Sequence, residues 1–195
     1  MARRPREDDQ GAIHHVIAKG SGGESIVRDD ADREALIQRV GETAKRHRWL
    51  CLAYCLLDTH VHLIVATPSS NLGRGMQWML AAYAREFNKR HKRQGNLFHT
   101  RFYSKRIASE EHLIAALVYV HLNPVRAGVV ERAAGWRWSS YEATIGAVAA
   151  PEFLAVDSVL ELIDPRRESA QLRLQVAVHE TRERDRMPAG VRHRV

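Results

Sequence analysis

The sequence predicts an α+β fold of the ferredoxin-like kind: a β-α-β-β-α-β order, a four-stranded antiparallel sheet and both helices on one face. A third helix and a helical C-terminal extension follow. Three observations predict this. Four short runs, at 12–18, 49–57, 60–66 and 101–107, are rich in apolar and β-branched residues. Two longer stretches with helical spacing separate the first run from the second and the third from the fourth. Only Asp58-Thr59 stands between the second and third runs, short enough for a two-residue hairpin although it lacks the favoured glycine.

Each element has its own signal. Residues 1–10 are a charged lead-in without the apolar core of a signal peptide. Gly20, Gly22 and Gly23 make a loop after the first strand. Asp29 or Asp30 caps a helix running to about His47, with Leu36, Ile37, Val40 and Ala44 on one face. The second helix runs from Leu72 to about His91 and turns Met76, Met79, Leu80, Tyr83 and Phe87 inward. Ser109 caps the third helix, Glu110-Glu111 suit the positive end of its dipole, and Pro124 stops it near Asn123. Shorter helices are expected at 156–163 and 170–183. The organisation read from this is a lead-in at 1–10, a main domain at 11–146, a helical extension at 147–184 and a disordered basic tail at 185–195.

Composition narrows the function. In 195 residues, 45% hydrophobic content suffices for a core, and a net charge of +7 points to an anionic partner, nucleic acid before membrane. No apolar run approaches the roughly 18 residues a membrane span needs. Cys51 and Cys55, four residues apart on a strand, are separated by roughly 13 Å, too far for a disulfide, and read as reduced thiols of a cytoplasmic protein. Between residues 74 and 106 the net charge is +8, from Arg74, Arg85, Lys89, Arg90, Lys92, Arg93, Arg101, Lys105 and Arg106 against Glu86 alone. These nine cations are the candidate DNA-binding residues. Trp78, Tyr83 and Phe87, interleaved with them, are assigned to the core.

The candidate chemistry lies in His60-Val61-His62. On a strand both histidines face the same way, which makes half of a divalent-metal site. Tyr119 and Asn123, four apart on the third helix, share a face. If that helix packs on the sheet, Asn123 joins His60 and His62 as a metal ligand and Tyr119 stands beside them. Imidazoles with an amide oxygen suit Mn²⁺ and tolerate Mg²⁺. A phenol is a weak nucleophile unaided, and a bound cation would help it attack a phosphodiester.

These residues carry a resemblance. His15-Val16 with Lys19-Gly20, then Ala53-Tyr54-Cys55 followed by His60-Val61-His62-Leu63, then Gly95-Asn96-Leu97-Phe98 with Arg101-Phe102, the run from Tyr119 to Gly128, and Trp138-Ser139-Ser140-Tyr141 occur in order. The chain resembles the REP-associated tyrosine transposases, a branch of the IS200/IS605-like single-tyrosine HUH transposases. The resemblance implies cleavage and joining of single-stranded DNA near palindromic hairpins. It implies His60, His62 and Asn123 as ligands of Mg²⁺ or Mn²⁺, and Tyr119 as the nucleophile that forms a 5′-phosphotyrosine. Two positions depart from the family pattern: Asp58-Thr59 stands where Pro-Asn is usual, and Phe98 where Trp is common. A hairpin-binding protein that no longer cuts, and an unrelated metallohydrolase built on the histidine pair, are the competing readings. Monomer and homodimer are both open.

Overall fold

The structure, a computed structural model, describes residues 10–99 and 101–186. Four strands, β1 (Ala12–Lys19), β2 (Leu50–Leu56), β3 (His60–Thr67) and β4 (Tyr103–Ile107), form one sheet in the order β2-β3-β1-β4. Every neighbouring pair is antiparallel. The helices are α1 (Asp30–His47), α2 (Leu72–Arg90), α3 (Glu110–Arg126), α4 (Tyr141–Thr144), α5 (Val156–Glu161) and α6 (Arg167–Arg186). This is the expected fold. Leu57 N donates to His60 O at 2.9 Å, closing the hairpin around Asp58-Thr59.

Strand alternation gives the sheet two unlike faces. Val16 and Ala18 of β1 share one face with Val61, Leu63 and Val65 of β3, all buried. Helices α1 and α2 pack against each other and cover this face, as right-handed crossovers require. Gly75 of α2 sits so close to the Trp49 indole that a Cβ would collide with it. The opposite face carries Ile13, His15, Ile17 and Lys19 beside His60, His62 and Ile64. Helix α3 lies over it, in contact with β2, β3 and β4.

The cap at Asp29 forms as expected, its carboxylate accepting from Asp32 N at 3.0 Å. So does the cap at Ser109, which accepts from His112 N at 3.2 Å. The end of α3 differs from expectation. The helix passes through Pro124 and continues to Arg126. Proline removes one N–H near the end of the helix, where the burial of Leu117, Val120 and Leu122 holds the backbone helical. Gly128 then stops it at φ 69°, with Gly128 N donating to Val125 O at 3.0 Å and Val129 N to Pro124 O at 2.9 Å.

The edge of β2 is covered by chain from beyond the main sheet. Leu56 N donates to Trp138 O and Ser140 N to Tyr54 O, each at 2.9 Å, while Ala155 N donates to Cys51 O at 2.8 Å. Buried unpaired backbone is thereby avoided along an otherwise open edge. Residues of the extension, Leu154, Val156, Ala170, Leu174 and Val178, belong to the same core as Val16. Helix α6 reaches Arg186, so residues 185 and 186, expected in a disordered tail, are helical. The rest of that tail and the lead-in at 1–9 lie outside the described residues. Both cysteines are free and buried, and burial pushes each thiol up to about 12.

Candidate active site

The two histidines of β3 emerge side by side under α3, their ring centroids 4.8 Å apart. Each has its Nδ1 engaged. His60 Nδ1 is 2.9 Å from Thr59 Oγ1, so the threonine that departs from the family pattern orients the first ring. His62 Nδ1 is 3.1 Å from His15 Nε2. The other nitrogen of His62, Nε2, is buried and has no hydrogen-bond partner. Burial lowers the pKa of His60, with Lys19 adding to the shift. Burial, then the neighbouring histidines, lower His62 to about 2. Neutral rings with a spare Nε2 are what metal ligation requires.

Tyr119 reaches this site from α3. Its ring lies 5.6 Å from His62 and 5.6 Å from His15, edge-on to both. It is 41% exposed, so an incoming strand has access to it. The Arg126 guanidinium stands 5.3 Å from the ring centroid, and Arg126 Nε donates to Asp185 Oδ2 of α6 at 2.9 Å. Asn123 lies one turn on from Tyr119 and is nearly buried. Its Nδ2 donates to the Tyr119 carbonyl at 2.8 Å, which leaves the amide oxygen as the end able to bind a cation. Among the described residues no group of three or more His, Cys, Asp or Glu is arranged to hold a metal. A cation here would therefore need a ligand of another kind, which the Asn123 amide supplies in chemistry.

Four residues of this site carry no assigned role in the sequence reading. His15 completes a triangle of rings with His62 and Tyr119, its own pKa lowered to about 4 by burial and by His112 and Lys105. Its signal was available: alternation on β1 puts it on the histidine face once β1 neighbours β3, and the ferredoxin-like order makes them neighbours. Lys19 is cross-strand partner of His60. Arg126 and its partner Asp185 join through tertiary packing that no local pattern announces.

The nine candidate DNA cations do not gather in one patch. Lys105 lies on the histidine face, paired across β1 with His15, and Arg101 lines a cleft beside His60. Arg74, Arg85 and Lys89 are exposed on α2, the layer behind the sheet, and Lys92 is exposed in the turn after it. Arg106 alternates to the face opposite Lys105. Arg90 and Arg93 are engaged within the protein. Arg90 forms a two-pronged pair with Asp29 at 2.7 Å and also meets the buried Asp32, whose other oxygen is 2.8 Å from His91 Nε2. Arg93 pairs with Glu24 at 2.5 Å and reaches the carbonyls of the 94–95 loop. Phe98 is buried against Tyr83, so the second departure from the family pattern is a packing residue.

A ferredoxin-like sheet with a histidine pair under a helix that presents a tyrosine is an arrangement suited to a single-tyrosine transposase. The chain belongs to the IS200-like transposase family, which residues 11–123 match. It is 26% identical over 146 residues to a protein of Haemophilus influenzae described as a REP-associated tyrosine transposase, covering 66% of this chain and 83% of that one. Its fold is similar to the solved structure of a REP-associated tyrosine transposase bound to a REP hairpin. The TM-score is 0.65 at 16% identity, over 80% of this chain and 92% of the other.

Proposed function

We propose that the protein is a metal-dependent single-strand DNA endonuclease and strand transferase that works beside palindromic hairpins, with Tyr119 as its nucleophile. The observation that carries this is the partnerless Nε2 of His62, buried next to an accessible tyrosine. His60, His62 and the Asn123 amide oxygen would hold Mg²⁺ or Mn²⁺. Bound there, the cation would polarise the scissile phosphodiester and neutralise charge building on its oxygens.

The protein's own groups do the rest. Tyr119 Oη attacks the phosphorus, a new P–O bond forms to the phenol, and the bond to the 3′ oxygen breaks. The phenolic proton passes through solvent to that oxygen, which leaves as a 3′-hydroxyl. The enzyme then carries a 5′-phosphotyrosine, and attack by another 3′-hydroxyl reverses the step without an external energy source. Arg126, 5.3 Å from the centre of the Tyr119 ring, offers its charge to the scissile phosphate, and the Asp185 pair fixes the guanidinium. His15 holds the His62 ring by its Nδ1. Lys105 and Arg101, with Lys19, attract the strand to this face. A strand transferase of this kind works in the cytoplasm, with the chromosome.

The test is a stem-loop with end-labelled single-stranded flanks, incubated with Mn²⁺ and run on a denaturing gel. Wild type gives cleaved strand and a covalent protein–DNA adduct. Tyr119→Phe retains stem-loop binding and loses both products. Adduct formation by the Phe variant would assign the chemistry to another residue. Binding by wild type without any adduct would make the protein a hairpin binder that does not cut.

A further inference from the structure

Beside the tyrosine, the same sheet face holds a cleft that shares His60 with the proposed metal site. It has a volume of about 560 Å³ and lies between the start of β4 and the glycine turn after β1. Ile17, Lys19, His60, Arg101 and Tyr103 are among the residues that line it. Register fixes the distances involved. Ile17 pairs with His62 on one side and with Tyr103 on the other, so His62, Ile17 and Tyr103 form one cross-strand row. Tyr103 therefore stands two strand spacings, roughly 10 Å, from the histidine site.

Tyr103 is 57% exposed. Among the described residues only two of the Phe, Tyr and Trp side chains are exposed, Tyr103 and Tyr119. Both are on this face. A ring left in water beside two cations and in the same cross-strand row as the proposed phosphate-handling site is placed for an unpaired base, because stacking needs only a π-face and the adjoining phosphate needs the charge.

We infer that this cleft is a subsite for one unpaired nucleotide flanking the scissile phosphate, its base stacked on Tyr103 and its phosphate between Lys19 and Arg101. The inference rests on the proposed DNA-cleaving function and adds a position at which the flanking strand is held. Sequence tolerance follows: the cleft selects an unstacked base more than a particular one, and the hairpin is read elsewhere.

The experiment compares two probes in EDTA, so that nothing is cut: a stem-loop alone, and the same stem-loop with single-stranded flanks that carry 2-aminopurine at one position at a time. Wild type, Tyr103→Leu and Tyr103→Phe are titrated against both. For wild type, 2-aminopurine fluorescence should change sharply at one flank position. Tyr103→Leu should abolish that change and weaken flanked-probe binding roughly tenfold, while the bare stem-loop binds as before. Tyr103→Phe keeps the π-face and should behave as wild type. Lys19→Gln should lower the salt slope for the flanked probe by about one phosphate contact. The subsite is overturned if Leu binds the flanked probe as tightly as wild type, or if Phe fails as Leu does. If wild type binds neither probe, the DNA-cleaving reading falls and the subsite with it.

Discussion

His15→Phe isolates a single hydrogen bond in the proposed metal site. Phenylalanine preserves a ring of similar size, and so preserves the stacking on His62 (centroids 5.3 Å apart, planes 23° from parallel) and the edge contact with Tyr119. What it removes is the nitrogen 3.1 Å from His62 Nδ1. For His62 to offer an Nε2 lone pair to a cation, its proton must sit on Nδ1 and donate to His15. Without that acceptor the proton is either stranded in a pocket where His62 is 1% exposed, or moves to Nε2 and blocks the ligand. Stranding a buried donor costs about 1–3 kcal/mol. That range, and the usual effect of losing an outer partner of a metal ligand, give Mn²⁺ binding about 10- to 100-fold weaker. The assay is Mn²⁺ titration by calorimetry, with metal-free thermal unfolding to show that the fold survives. His15→Gln restores an acceptor and should recover most of the affinity. The reasoning is refuted if the Phe variant binds Mn²⁺ as tightly as wild type, or if Gln is no better than Phe.

Two further outcomes are expected. Ser140→Ala removes the hydroxyl that accepts from Tyr54 N at 3.0 Å and lies 3.1 Å from His121 Nε2 in a fully buried position. Leaving both partners unsatisfied should cost about 2–4 kcal/mol, read from the urea midpoint, and a loss below about 0.5 kcal/mol would contradict this role. Lys105→Gln should reduce the salt slope of DNA binding by about one, whereas Arg93→Gln should leave the slope alone and lower the unfolding temperature, since Arg93 is paired with Glu24. Equal slope changes in the two variants would put Arg93 on the DNA.

Much of the fold was legible because its signals are local. The alternating strands, the two-residue hairpin and the caps at Asp29 and Ser109 are each decided within a few residues. So is the shared face of His60 and His62, since period-two alternation needs only the strand. The end of α3 was misjudged because the proline rule is also local, and the burial that overrides it comes from α6 and β2. Trp138-Ser139-Ser140-Tyr141 looks like a motif with chemistry, yet Ser140 joins the β2 edge to the buried His121 through one hydroxyl. Its meaning depends on a contact 86 positions away.

The charge run shows the limit most plainly. Net charge over residues 74–106 predicts a basic surface but not which way its members point, because the segment crosses from the layer behind the sheet to the histidine face. Arg90 closes the α1–α2 layer on Asp29 and Asp32, while Lys105, fifteen residues later, lies on the histidine face of β4, two strand spacings from β3. A charge count treats the two alike. Strand register separates them, and it also brings Lys19, outside the run altogether, to His60. The proposed DNA-facing set is therefore defined by a face of the sheet rather than by a stretch of sequence. Variants chosen by face should change binding together, whatever their distance along the chain.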